Sequence, residues 1–110
     1  MQTKKKIILF DSWTKGSRHI FRLLHILESK SIEIILVHIG SWGDELGRPV
    51  REKINGLEVR DIKYYEGIMD IFQKENPDLV FFLSLDVLPH RMFNRYCKYF
   101  KIPTVSLYHG

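Results

Sequence analysis

Four short polar segments follow apolar runs, and they hold most of the side chains able to do chemistry in this chain. The first is Asp11-Ser12-Trp13-Thr14-Lys15-Gly16, followed by Ser17 and a helical pattern. Free backbone N–H groups and the helix dipole at such an N-terminus favour an anion. Gly16 permits close backbone approach and Lys15 adds charge, so Trp13, Lys15, Gly16 and Ser17 are candidate substrate contacts. The bland alternative is that Gly16 only eases entry to the helix. The segment is neither G-x-G-x-x-G nor a P-loop, which argues against a dinucleotide dehydrogenase or an NTPase.

The second segment, residues 40–47, is glycine-rich and carries Trp42. An indole there can stack on a sugar ring; alternatively the segment is a connector with Trp42 tucked against the body. The third supplies Asp86, whose carboxylate suits a general base or a hydroxyl contact, or else complements a helix N-terminus. The fourth is His109-Gly110. Histidine titrates near neutral pH and both donates and accepts, which suits sugar or phosphate recognition. Asp86 and His109 are therefore the candidate catalytic residues, and Gly110 joins the substrate contacts. His19, His25, His38 and His90 lack metal-ligand spacing and the single Cys97 adds none, so neither metal nor cofactor is expected.

These segments need a scaffold, and the apolar pattern supplies one. Continuous or alternating runs of strand formers occupy residues 6–10, 32–39, 57–62, 78–85 and 102–108. Residues 34–37 are apolar without alternation, as in a strand buried on both faces. Helical periodicity fills residues 17–30, where Ile20, Leu23, Leu24 and Leu27 share a face and Ser17 is a plausible N-cap. It returns at 66–76, with Ile68, Ile71 and Phe72 on one side, until Asn76-Pro77 stops it. It returns again from Pro89, a good first-turn residue, with Phe93, Tyr96, Cys97 and Phe100 facing inward. Asn55-Gly56 marks a turn. Strands alternating with helices predict an α/β fold: a Rossmann-like three-layer sandwich with a mainly parallel five-stranded sheet. In such folds ligands bind outside the carboxyl ends of the strands, where all four segments begin.

The bulk composition sets limits. The 110 residues make one domain, 1–110, with 45% hydrophobic and 27% charged residues, a globular balance. One cysteine excludes an internal disulfide and fits a reducing, cytoplasmic setting. The apolar run after the charged N-terminus is too short for a signal peptide. Net charge is +4, a mild excess that permits attraction to phosphates. Arg91, Arg95 and Lys98 recur at i, i+4 and i+7 on the outer side of their helix, either a solvated face or a peripheral contact with an anionic membrane such as the inner membrane face. No nucleic-acid motif is present, and no nucleic-acid partner is expected.

Two stretches carry a family resemblance: Asn76-Pro77-Asp78-Leu79-Val80-Phe81-Phe82, and Lys101-Ile102-Pro103-Thr104-Val105-Ser106-Leu107-Tyr108-His109-Gly110. Together they resemble the fourth and fifth strands of the N-terminal domain of GT-B glycosyltransferases. The resemblance implies an acceptor-side domain, with a sugar or lipid-linked acceptor, whose partner is a missing C-terminal nucleotide-sugar-binding domain. By resemblance, Gly16 and the His109-Gly110 loop face the cleft between the two. The chain is then the N-terminal half of a two-domain polysaccharide-biosynthesis enzyme and inactive alone. It departs from the family in having only Gly16 where many members carry a fuller glycine-rich loop. The same stretches resemble UDP-N-acetylglucosamine 2-epimerases, although Leu85-Asp86 stands where those enzymes have Gly-Asp, and their other loop motifs are missing. A non-catalytic α/β module such as a phospho-receiver is the third alternative. Asp11 stands alone after the first strand, and the third strand, read as ending at Ile62, offers no terminal aspartate.

Overall fold

A computed structural model of the chain describes residues 5–11, 32–42, 47, 49–54, 56–82 and 88–106. The strands are β1 (Lys5–Asp11), β2 (Ile32–His38), β3 (Arg51–Ile54), β4 (Leu57–Asp61), β5 (Leu79–Phe82) and β6 (Thr104–Ser106). They form one sheet in the order β3-β4-β2-β1-β5-β6. All neighbours run parallel except β3 and β4, which are antiparallel. Two helices are described, α1 (Ile68–Glu75) and α2 (Leu88–Tyr99). The mixed, mostly parallel α/β sheet agrees with the sequence reading; its strand count does not.

The sixth strand is β3. Its Arg51-Glu52-Lys53-Ile54 carries three charges and no apolar run, so its pattern does not read as a strand. It is an edge strand, where charged side chains are tolerated because one edge and part of each face stay wet. Arg51 reaches across to Glu58 on β4 at 2.5 Å. The turn joining the two strands needs Gly56, whose φ of 84° suits a residue without a Cβ. The strand read as residues 57–62 ends at Asp61, and Ile62 begins a short 3₁₀ turn, Ile62–Tyr64.

The strand side chains alternate between two clusters. Ile8, Phe10, Ile35, Val37, Val80 and Phe82 face one side, together with Ile71 and Phe72 of α1 and Phe93 and Cys97 of α2. Four rings tie this side together: Phe10 stacks on Phe93 at 4.3 Å, and Phe72 meets Phe93 at 4.7 Å and Phe100 at 5.2 Å. Each fully buried Phe or Ile contributes about 1.5–3 kcal/mol. Leu9, Ile34, Leu36, Leu57 and Val59 face the opposite side and are also buried. No residue of α1 or α2 belongs to that second cluster. The helix expected at residues 17–30 lies outside the described residues.

Both described helices match their apolar patterns. α1 ends as the sequence requires: Asn76 adopts the left-handed conformation, φ 45°, and its N–H donates to the Phe72 carbonyl before Pro77. Pro89 is the second residue of α2, where its missing N–H costs nothing.

One charged group is buried between β1, β4 and α1. Glu75 accepts from Lys6 Nζ at 2.7 Å, from Tyr65 Oη at 2.8 Å and from Arg60. Burial opposes its ionisation, but the hydrogen bonds from Lys6 and Tyr65 and the nearby Arg60 charge prevail and hold its carboxyl below the usual range. Burial likewise pushes the Tyr65 hydroxyl up, aided by Glu75. The cluster fastens the carboxyl end of α1 to two strands.

Candidate functional site

The strand order decides where a ligand site belongs. From β1 the chain moves to β2 and then β4 on one side; β5 and β6 lie on the other. The direction therefore reverses between β1 and β5, and in open parallel sheets the crevice outside such a reversal is where ligands bind. Phe10 is registered with Phe82, and Phe82 with Ser106, so the carboxyl ends of β1, β5 and β6 lie side by side. Neighbouring strands are about 4.8 Å apart.

Three of the four segments singled out in the sequence follow these ends in the chain. Trp13, Lys15, Gly16 and Ser17 follow β1, Asp86 follows β5, and His109 and Gly110 follow β6. All seven lie outside the described residues. The structure brings together the strand ends that launch them.

Aromatic residues are among those described at these strand ends. Phe10 and Phe82, at the carboxyl ends of β1 and β5, meet edge to face at 6.2 Å. His90 from the first turn of α2 packs against both, 5.3 Å from Phe10 and 6.5 Å from Phe82, and is buried. Its place follows from the helix period: His90, Phe93 and Cys97 are at i, i+3 and i+7 and all point into the sheet.

A second polar cluster continues along the same edge. Asp11, His38 and Asp61 are register partners at the ends of β1, β2 and β4. His38 and Asp61 are both buried. The Asp61 carboxylate accepts from Ser41 N–H at 2.9 Å, Ser41 Oγ at 2.5 Å and Lys63 N–H at 2.9 Å. It therefore fixes the loop after β2 and caps the 3₁₀ turn after its own strand. His38 Nδ1 accepts from Gly40 N–H at 3.0 Å. Asp61 Oδ2 lies 3.5 Å from that nitrogen, but a ring nitrogen accepting from an amide carries no proton for the carboxylate. The pair is joined through the Gly40-Ser41 backbone.

That backbone forms a single 3₁₀ turn, Gly40–Trp42, closed by Trp42 N–H to Ile39 O at 2.9 Å. The turn leaves Trp42 56% exposed. Trp42 is therefore not tucked against the body. A flat apolar ring thus stands exposed on this turn at the carboxyl edge of the sheet.

His38 and Asp61 are the residues sequence reasoning missed. The only signal was position: each ends a strand, and the boundary of β4 was read one residue late. The correction gives a strand-terminal aspartate, one feature a receiver requires. In the receiver order, however, β1 adjoins the third parallel strand; here β2 separates β1 from β4, and the Asp61 carboxylate is enclosed by three donors.

Among the described residues, no group of three or more His, Cys, Asp or Glu side chains is gathered for a metal. Among them also, no helix is long and apolar enough to cross a membrane. Set against protein-family models, characterised proteins and solved structures, the chain finds no match in any of the three.

Proposed function

We propose that this chain is the acceptor-side, Rossmann-like domain of a glycosyltransferase that takes its sugar from a nucleotide-sugar donor. The observation that carries the reading is the reversal of strand order between β1 and β5. On this reading the ligand lies outside that reversal, and its contacts are drawn from Trp13, Lys15, Gly16 and Ser17, which follow β1 in the chain, Asp86, which follows β5, and His109 and Gly110, which follow β6. The roles follow from chemistry. Lys15 and the backbone at Gly16 and Ser17 hold an anionic or hydroxyl-rich group, Trp13 and Trp42 offer ring faces to a sugar, and Asp86 or His109 takes the acceptor hydroxyl's proton. The donor domain is a separate partner, and cytoplasmic placement follows the cysteine reading.

The finer architecture is part of the same proposal. Connections between parallel strands are almost always right-handed. The steps from β4 to β5 and from β5 to β6 run in one direction and carry α1 and α2 on one face. The step from β1 to β2 runs in the other direction, so a right-handed connection lies on the opposite face. That face holds the buried Leu9, Ile34, Leu36, Leu57 and Val59. An amphipathic helix at residues 17–30, presenting Ile20, Leu23, Leu24 and Leu27, supplies the third layer.

Titration calorimetry of the chain with UDP and with a panel of oligosaccharides and lipid-linked sugar mimics tests the functional reading. Binding of a saccharide with little or no binding of UDP is the expected result. Tight UDP binding by this domain alone contradicts the division of labour.

A further inference from the structure

We infer that the outer face of α2, together with Met69 of α1, is a docking surface for an anionic lipid bilayer. At ~100° per residue, the buried side of α2 is centred on Phe93 and Cys97. Leu88, Met92, Arg95 and Tyr99 fall on the opposite side within a band only ~60° wide. Leu88 is 66% exposed and Tyr99 75%, with Met92 and Met69 each 43% exposed. Between the two helices, Met69, Met92, Arg95, Tyr96 and Tyr99 line an open groove of about 370 Å³. Large apolar side chains gathered in one place on a surface mark an interaction site.

Charge identifies the occupant. Arg95 lies within this band, Lys98 borders it, Lys101 follows the helix, and all three are exposed. α2 contains no acidic residue. On α1, the Asp70 carboxylate is bound by Lys74 at 3.1 Å and by the Glu66 backbone N–H at 3.0 Å. A second copy of this chain would bring Arg95 and Lys98 against their own like charges, which disfavours self-association. An anionic bilayer accepts both halves of the surface at once. Leu88, Met92 and Met69 enter the acyl boundary, Tyr96 and Tyr99 sit at headgroup level, and the basic side chains reach the headgroups. The inference stands on the outer face of α2 and Met69 and does not rest on the glycosyltransferase reading, because none of these residues belongs to the carboxyl-edge site.

The test is co-sedimentation of the 110-residue chain with large vesicles of phosphatidylcholine containing phosphatidylserine, alongside pure phosphatidylcholine vesicles. Binding is expected only to the anionic vesicles, weakening as salt is raised. Arg95→Glu/Lys98→Glu should lower the partition coefficient by at least about 25-fold, roughly fivefold for each charge lost. Met92→Ser/Tyr99→Ser should lower it separately with the basic residues intact. All four side chains are exposed, and thermal unfolding of each variant verifies that it folds. Three results overturn the inference: no binding to anionic vesicles at low salt, equal binding to both vesicle types, or binding that survives both double variants. Failure on vesicles combined with tight binding of an acidic, aromatic-containing peptide would assign the face to a protein partner instead.

Discussion

Among the described residues, the buried polar clusters around Glu75 and Asp61 are built on opposite plans. Around Glu75, charges meet charges: Lys6 and Arg60 surround one carboxylate, with Tyr65 completing the set. Around Asp61, a carboxylate is met by a loop: two donors from Ser41 and one from Lys63. The first cluster joins elements already packed by an apolar core, and its partners come from β1, from β4 and from the turn that follows β4. The second lies at the strand ends, and its partners are the two 3₁₀ turns that follow β2 and β4. Buried charge in the first locks a helix to a sheet. Buried charge in the second shapes the rim that holds Trp42. The distinction separates what maintains the fold from what presents a surface at the carboxyl edge.

Substitutions should separate the two plans, beginning with the largest effect. Asp61→Ala removes the acceptor for three donors at once, two of them backbone N–H groups. A loss of about 3 kcal/mol is expected in urea unfolding, together with loosening of the Gly40–Trp42 turn in amide hydrogen exchange. Loss of stability with no change in that turn would break the proposed division. Glu75→Gln keeps the shape but removes the charge that Lys6 and Arg60 share, and should cost about 2 kcal/mol. Protection of the Gly40–Trp42 turn should be unchanged.

The Glu75 cluster also predicts a pH dependence. Glu58 and Glu75 both titrate below their ordinary value of 4.5 in the folded chain. For Glu58, burial works against ionisation and the hydrogen bonds from Arg51 and Arg60 outweigh it. At acid pH the unfolded chain therefore binds more protons than the folded one. The stability these groups contribute is complete above about pH 4.5 and is lost as pH falls through the lower folded values. Glu75→Gln should flatten the acid limb of a plot of unfolding free energy against pH; an unchanged limb would exclude Glu75 as its source.

Smaller effects complete the contrast. Burial pushes the Cys97 thiol up to about 12, so a thiol reagent near neutral pH should label it only at the rate of unfolding. Trp42→Ala should change stability by less than about 0.5 kcal/mol, because the ring is mostly exposed. The same variant should weaken saccharide binding by about 1 kcal/mol.

The scaffold was legible where apolar periodicity was strong. β1 and β2 are apolar runs buried on both faces, β5 is an apolar run buried on one face and half-buried on the other, and the inner faces of α1 and α2 followed from their spacing. β3 was not legible, because an edge strand of Arg51, Glu52 and Lys53 has no need of an apolar pattern. The polar cluster was hidden for a different reason. His38 and Asp61 stand 23 positions apart in the chain, and only the pairing of β2 with β4 makes them neighbours. Trp42 was visible as an aromatic in a loop, but its exposure depends on a 3₁₀ turn fixed by Asp61 from another strand.

The central claim is that the carboxyl edge, at the reversal between β1 and β5, is the ligand site. The most direct measurement is an amide chemical-shift map of the chain titrated with a saccharide that binds. Shifts should concentrate at Phe10, His38, Gly40, Trp42 and Phe82 and at the residues that follow β1 and β5, leaving Lys6, Glu75 and Asp78 at the other end of the sheet unmoved. Shifts centred on that opposite end, or on β3 and the outer face of α2, would contradict the claim.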